Sequence, residues 1–214
     1  MNTEFEKLRR EYKQGPLNEK TMHPDPVVEF GEWFQLAVST GIDLPNAMIL
    51  ATATIEARPA ARFVLLKDYN ENGFVFYSHS VSAKGRQLAE NPRASLVFYW
   101  KCLDRQIRID GKVQRTSDSE ADEYFASRPL DSKIGAWAAP QSSVIADREY
   151  LEKRVEEYNQ RFADGRVPRP EDWVGYRVIP EAIEFWQGRE NRLHDRVLYT
   201  LGNDGAWSRA RLAP

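Results

Sequence analysis

Arg192-Leu193-His194-Asp195-Arg196 concentrates two permanent cations and one imidazole within a few residues. In an extended chain alternate side chains share a face, so strand spacing points Arg192, His194 and Arg196 the same way. Guanidinium groups grip phosphate or carboxylate through paired hydrogen bonds and also stack on flat rings, so such a face suits a planar, anionic ligand. The same alternation fits a solvated edge strand with alternating charge, and spacing alone leaves both readings open.

Other candidates are divided in the same way. Arg62 and Lys67 bracket Phe63-Val64-Leu65-Leu66. Five apart, they point to opposite faces of a regular strand, so a shared site needs a bulge or two separate ligand groups; plain snorkelling of basic side chains at strand ends is the alternative. Tyr124 and Arg128, four apart, share one helix face, with Ser132 shortly after. That group suits a phosphate, and equally an exposed helix surface. Trp137, Trp173 and Trp186 sit near glycine-containing turns, where they wall a flat cofactor or simply pack the core.

Several chemistries drop out. The glycines never fall as Gly-x-Gly, which removes the dinucleotide fingerprint and the Walker loop. His23, His79 and His194 lie far apart without His-Glu-x-x-His spacing, so no metal site is expected. A Gly-x-Ser-x-Gly elbow is also missing.

The 214 residues carry a formal net charge of −2, which gives no general attraction for nucleic acid. One cysteine, Cys102, forbids an internal disulfide and fits a reducing, cytoplasmic setting. No run approaches the length of apolar residues that spans a bilayer, so no membrane partner is expected.

The elements that must position these residues are mostly strands. A short charged helix is expected over 3–13, ended by Gly15-Pro16, and an amphipathic helix over 27–39 with Gly41 as its stop. Strands are expected over 48–55, 62–67, 74–78, 94–100 and 106–113, with Asn72-Gly73 making an antiparallel hairpin of the second and third. A short helix over 84–91 precedes Pro92, and Ser117-Asp118-Ser119-Glu120 is a capping box opening a helix over 119–127. A longer helix over 147–163 carries Leu151, Val155, Tyr158 and Phe162 on one stripe. Strands return over 176–179, 182–187, 192–201 and 206–212. The pattern is mainly β with peripheral helices, an antiparallel barrel rather than a doubly wound sheet.

Taken together the chain resembles the pyridoxamine 5′-phosphate oxidase family along nearly its whole length. The resemblance rests on ordered blocks: Leu8-Arg9-Arg10-Glu11-Tyr12, residues 62–67 followed by Phe76-Tyr77, Arg105-Gln106, Tyr124-Phe125 with Ser127-Arg128-Pro129, Ile134-Gly135-Ala136-Trp137, Gln141-Ser142-Ser143, Ile183-Glu184-Phe185-Trp186-Gln187-Gly188, residues 192–196, and Arg211-Leu212-Ala213-Pro214.

The resemblance implies a Greek-key-like FMN-binding split β-barrel over 25–214, an N-terminal segment over 1–24 that folds over the occupied site, and a homodimer with two shared sites. Arg62, Val64, Leu65, Lys67, Tyr77, Ser78, Lys84 and Gln106 match flavin-binding positions of one side, and Gln141, Ser142, Trp186 and Arg196 those from across the interface. Lys67, Tyr124, Arg128 and Ser132 match the holders of the substrate phosphate, Arg192 and His194 the catalytic pair at the pyridine ring, and Arg9 and Tyr12 the covering segment. The implied reaction is hydride transfer from C4′ of pyridoxamine or pyridoxine 5′-phosphate to FMN, giving pyridoxal 5′-phosphate, with O2 reduced to hydrogen peroxide. A flavin reductase or flavin-binding protein of the same fold is the alternative. Two positions depart from the pattern: Ala83 precedes Lys84 where relatives carry an Arg-Lys pair, and Leu44 stands where an acidic residue is usual.

Overall fold

The computed structural model describes residue 12 and residues 15–214. The expected helix over 3–13 and Arg9 lie outside the described residues.

Helix α1 (Pro26–Ser39) begins where Asp25 accepts a hydrogen bond from the Val27 N–H and Pro26 presets the first turn. Its apolar stripe puts Phe30 and Trp33 into the barrel, where Phe30 meets Phe74 edge-to-face at 4.9 Å and Trp33 meets Phe185 at 5.1 Å. Leu17 and Met22, upstream of the helix, join the same core.

Nine strands form one antiparallel sheet: β1 (Ala47–Ala53), β2 (Pro59–Leu65), β3 (Asp68–Asn70), β4 (Gly73–His79), β5 (Arg93–Trp100), β6 (Arg105–Arg115), β7 (Trp173–Gln187), β8 (Asp195–Leu201) and β9 (Trp207–Leu212). The order is β2-β1-β5-β6-β7-β4-β3, and β8 joins β7 while β9 joins β8. β7 is the branch point. Its first half pairs with β4 and its second with β8, while β6 runs along its other side. Beyond β2, the Leu66 N–H bonds the Asn46 carbonyl and the Lys67 N–H bonds the Val75 carbonyl, which ties the β1–β2 edge to β4. The result is a split barrel.

Three expectations change. The Asn-Gly hairpin joins β3 to β4, whereas β2 pairs with β1; the three-residue β3 was too short to show in a hydrophobic pattern. The two strands expected on either side of Pro180 are one strand, β7. Proline cannot donate to the ladder, and the register shifts beside Gly111 so that Glu181 is bulged out. A Cβ at Gly111 would come within 2.0 Å of the Ile179 carbonyl oxygen, so the approach needs glycine. The strand expected from residue 192 starts only at Asp195, with Glu190–Arg192 forming a 3-10 turn.

The peripheral helices are α2 (Ala83–Glu90), α3 (Asp118–Ser127), α4 (Leu130–Ala138) and α5 (Arg148–Arg161). The capping box at Ser117 and Glu120 is formed. Helix α4 was not anticipated, having no side-chain cap and following Pro129 directly. It is held by α5, whose Arg154 donates to the Ala138 and Trp137 carbonyls at 2.6 and 3.2 Å. Among the described residues no helix is long and apolar enough to cross a membrane.

Candidate active site

A cleft of about 690 Å3 opens between β2, β4, α2, α3 and α4. Arg62, Lys67, Lys84 and Arg128 line it, and among the described residues no Asp or Glu does. Arg62 and Lys67 meet there because β2 ends at Leu65: the turn at Leu66 and Lys67 breaks the alternation that would have sent them to opposite faces.

Arg62 is aimed by its neighbours. Its Nη1 donates to the Leu50 carbonyl and to Thr52 Oγ1, at 3.1 and 2.6 Å, and its Nη2 to Gln87 Oε1 at 3.2 Å. Lys84 sits in the first turn of α2, whose N-cap Ser82 accepts from the Gly85 N–H. Its Nζ donates to Gln141 Oε1 at 2.7 Å and to Ser78 Oγ at 3.2 Å. Burial, then repulsion from Arg62, pushes the Lys84 ammonium below its ordinary value. Burial likewise lowers Arg62 and Arg128. An anion entering the cleft relieves each of these strains.

The phosphate-side candidates come together at the end of α3. Lys67 Nζ lies 5.8 Å from the Tyr124 ring centroid, and the Arg128 guanidinium rests 4.9 Å from the Trp173 ring. Arg128 Nη1 is buried with no hydrogen-bond partner, a donor aimed without an acceptor. Ser132, on the unanticipated α4, lines the same space. Tyr77 lies almost parallel to Tyr124 at 4.3 Å and to Trp173 at 4.9 Å, giving the cleft a flat aromatic wall. Burial foremost, then the charge of Glu120, pushes the Tyr77 phenol up to about 12, so it stays neutral.

The remaining candidates form a second group outside this cleft. Gln106 pairs with Trp186 across β6 and β7, and Trp186 with Arg196 across β7 and β8. His194 packs against Trp186 at 4.8 Å and Tyr12 at 5.3 Å. The expectation that Arg192, His194 and Arg196 share a strand face fails, because Asn191 and Arg192 have φ of 54° and 63°. Left-handed residues end β alternation, and Arg192 stands exposed on a turn. His194 Nδ1 accepts from the Arg189 N–H at 3.1 Å, so in the neutral ring the proton sits on Nε2. Burial and the charge of Arg192 lower its pKa below the usual histidine value. Gln141, which the resemblance placed across an interface, is bonded to Lys84 within this chain, and Ser142 is exposed beside it with φ 70°. Leu44 is exposed and does not line the cleft.

Sequence reasoning missed four supports. Thr52 and Gln87 hold Arg62, and His79, paired with Asp172 at 3.0 Å, lines the cleft. Glu184 ties Arg108 and Arg196 together; a lone acid inside the apolar run Ile183-Glu184-Phe185-Trp186 was its signal.

Fold and cleft together define a split-barrel protein with a cationic cleft that has a flat aromatic wall. A family profile described as pyridoxamine 5′-phosphate oxidase matches residues 35–162, and one described as the pyridoxine 5′-phosphate oxidase C-terminal dimerisation region matches residues 173–214. The pyridoxine/pyridoxamine 5′-phosphate oxidase of Nostoc sp. is 51% identical over 207 residues, covering 97% of both chains. That of Rubrobacter xylanophilus is 54% identical over 97% of this chain and 95% of its own. Among solved structures, PhzG from Burkholderia lata, in complex with tetrahydrophenazine-1-carboxylic acid, superimposes with a TM-score of 0.87 at 32% identity, covering 93% of this chain and 98% of that one. A pyridoxamine 5′-phosphate oxidase-related, FMN-binding protein of Nostoc punctiforme shares the fold, with a TM-score of 0.71 at 17% identity over 90% of this chain and all of its own. The chain belongs to the pyridoxine/pyridoxamine 5′-phosphate oxidase family of enzymes.

Proposed function

We propose that this chain is a cytoplasmic, homodimeric, FMN-dependent oxidase that converts pyridoxamine or pyridoxine 5′-phosphate into pyridoxal 5′-phosphate, reducing O2 to hydrogen peroxide. The observation that carries this reading is the cleft's four cations, which among the described residues have no lining carboxylate beside them, and one of which, Arg128, keeps a buried donor with no partner there. Relatives at about half identity over the full length bear the same activity in their names.

The residues present fit FMN. Arg62, Lys84 and Ser78 suit its phosphate as fixed donors, Val64, Leu65, Lys67 and Tyr77 its ring and chain, and Gln141 a hydrogen bond beside Lys84. When bound, FMN supplies the hydride acceptor for the C4′ carbon.

The protein's own part is binding and orientation. Lys67 and Arg128 hold the substrate phosphate through charge-assisted bonds, and the hydroxyls of Tyr124 and Ser132 donate beside them. Gln106, Ser142, Trp186, Arg192, His194 and Arg196 do not line this cleft, so a second subunit would bring its own copy of that group against it. There the exposed Arg192 lies over the pyridine ring and fixes C4′ for transfer. Neutral His194 offers its Nε2–H to the substrate. Tyr12, packed against Trp186 and His194, would border the occupied site.

The likeness to PhzG favours a second reading, in which a ring carboxylate takes the place of the phosphorylated pyridine. The phosphate set Lys67, Tyr124, Arg128 and Ser132 weighs against it, since a phosphate uses more donors than a carboxylate does. Incubation with pyridoxamine 5′-phosphate in air, assayed for pyridoxal 5′-phosphate and peroxide together, tests the proposal. A yellow protein that makes neither product would overturn it.

A further inference from the structure

The acceptors around Arg62 form a closed network. Thr52, on β1 and only 4% exposed, accepts from Arg62 Nη1 at 2.6 Å and donates its own hydroxyl to Gln87 Oε1 at 2.6 Å. Gln87 Oε1 also accepts from Arg62 Nη2 at 3.2 Å, and the Leu50 carbonyl takes the other Nη1 hydrogen at 3.1 Å. Because Thr52 and Gln87 are bonded to each other, they sit together across the Nη1–Nη2 end of the guanidinium. The donors left over are Nε–H and the second Nη2–H, which lie side by side along one edge. Among the described residues neither has an acceptor. That edge is the one that grips a phosphate through two parallel bonds.

All three acceptors are uncharged, so they aim the cation without neutralising it; a carboxylate in their place would compete with an entering anion. Gln87 also lies three residues after Lys84 on α2, so the two are neighbours on one helix face. The glutamine thereby links the helix that carries Lys84 to the strand that carries Arg62.

We propose that Gln87 and Thr52 are positioning residues for flavin, which lock Arg62 so that its Nε–H and free Nη2–H form a fixed two-pronged donor for the FMN phosphate. The inference rests on the proposed FMN-dependent reading and adds to it which residues set the phosphate grip. An arginine free to move would lose its rotamer freedom when the ligand arrives, whereas one held in place has lost it already on folding.

The test titrates the full-length protein, stripped of flavin, with FMN and with riboflavin, which lacks the phosphate, and reads flavin fluorescence. Wild type should bind FMN roughly a hundredfold or more tighter than riboflavin. Gln87→Met, of similar size but without the acceptor, should weaken FMN roughly tenfold and leave riboflavin unchanged. Thr52→Val should act in the same direction, and Thr52→Ser, which keeps the hydroxyl, should restore FMN binding. In an Arg62→Gln background Gln87→Met should add nothing, because its effect passes through the arginine. Undiminished FMN affinity in Gln87→Met, or an equal loss of FMN and riboflavin, would overturn the positioning role alone. A wild-type protein that binds neither flavin would overturn the FMN-dependent reading and this inference with it.

Discussion

The carboxylate of Glu184, buried on β7, holds Arg196 Nε of β8 at 2.7 Å. The two are diagonal neighbours across the β7–β8 ladder, Glu184 lying two residues along β7 from Trp186, which stands opposite Arg196. The same carboxylate takes Arg108 Nη2 at 3.0 Å, and Arg196 Nη1 donates to the Ala213 carbonyl at 3.0 Å. One acid thereby fixes Arg196 beside Trp186, and through Arg196 it ties down Ala213.

Glu184→Ala should therefore lower stability by about 1–3 kcal/mol, since two arginines lose a charged acceptor. Removing Arg93 from its exposed pair with Glu181 should cost less than about 1 kcal/mol. Urea unfolding of the two variants checks this, and equal losses would show that Glu184 is only another surface pair.

Arg128→Gln should raise KM for pyridoxamine 5′-phosphate roughly 10- to 100-fold, as expected for one lost charge-assisted bond. The variant should keep its yellow colour. A matching fall in FMN affinity would move Arg128 into the flavin site.

Lys84→Ala should weaken FMN binding by about tenfold or more, because Ala83 offers no neighbouring cation to compensate. Ala83→Arg should tighten it. Fluorescence titration of flavin reads both, and an unchanged Kd in Lys84→Ala would refute the assignment.

Arg192→Leu should lose turnover far more than FMN. It should also raise the pKa of His194, because the Arg192 charge helps to hold that imidazole below its ordinary value. The sign follows from linkage. A histidine depressed in the folded state favours folding above the unfolded pKa of about 6.5, and loses that contribution as pH falls through its folded value. NMR titration of the His194 ring in both proteins measures the shift, and a pKa that stays put on loss of Arg192 would contradict it.

Much of the frame was legible because it is written locally. The stripe of Phe30 and Phe34, the Ser117–Glu120 capping box and the β-rich runs each follow from neighbours in the chain, and α1, α3 and most strands formed as that spacing required. The chemistry of the site residues was also legible, since basic, aromatic and hydroxyl groups keep their character wherever they sit.

Where those groups meet was another matter. Alternation put Arg192 on a strand with His194, but the bond from the Arg189 N–H to His194 Nδ1 belongs to a turn whose left-handed residues override it. Helix α4 lacks a cap of its own and is held by Arg154 from a later helix. The sequence by itself determined the antiparallel β architecture and the stock of cations, because periodicity and side-chain type are properties of short segments. Only the tertiary structure decided that Arg62, Lys67, Lys84 and Arg128 share one cleft while Trp186, His194 and Arg196 lie outside it. That sorting depends on where strands end and which edges pair, and contacts between distant parts of the chain set both.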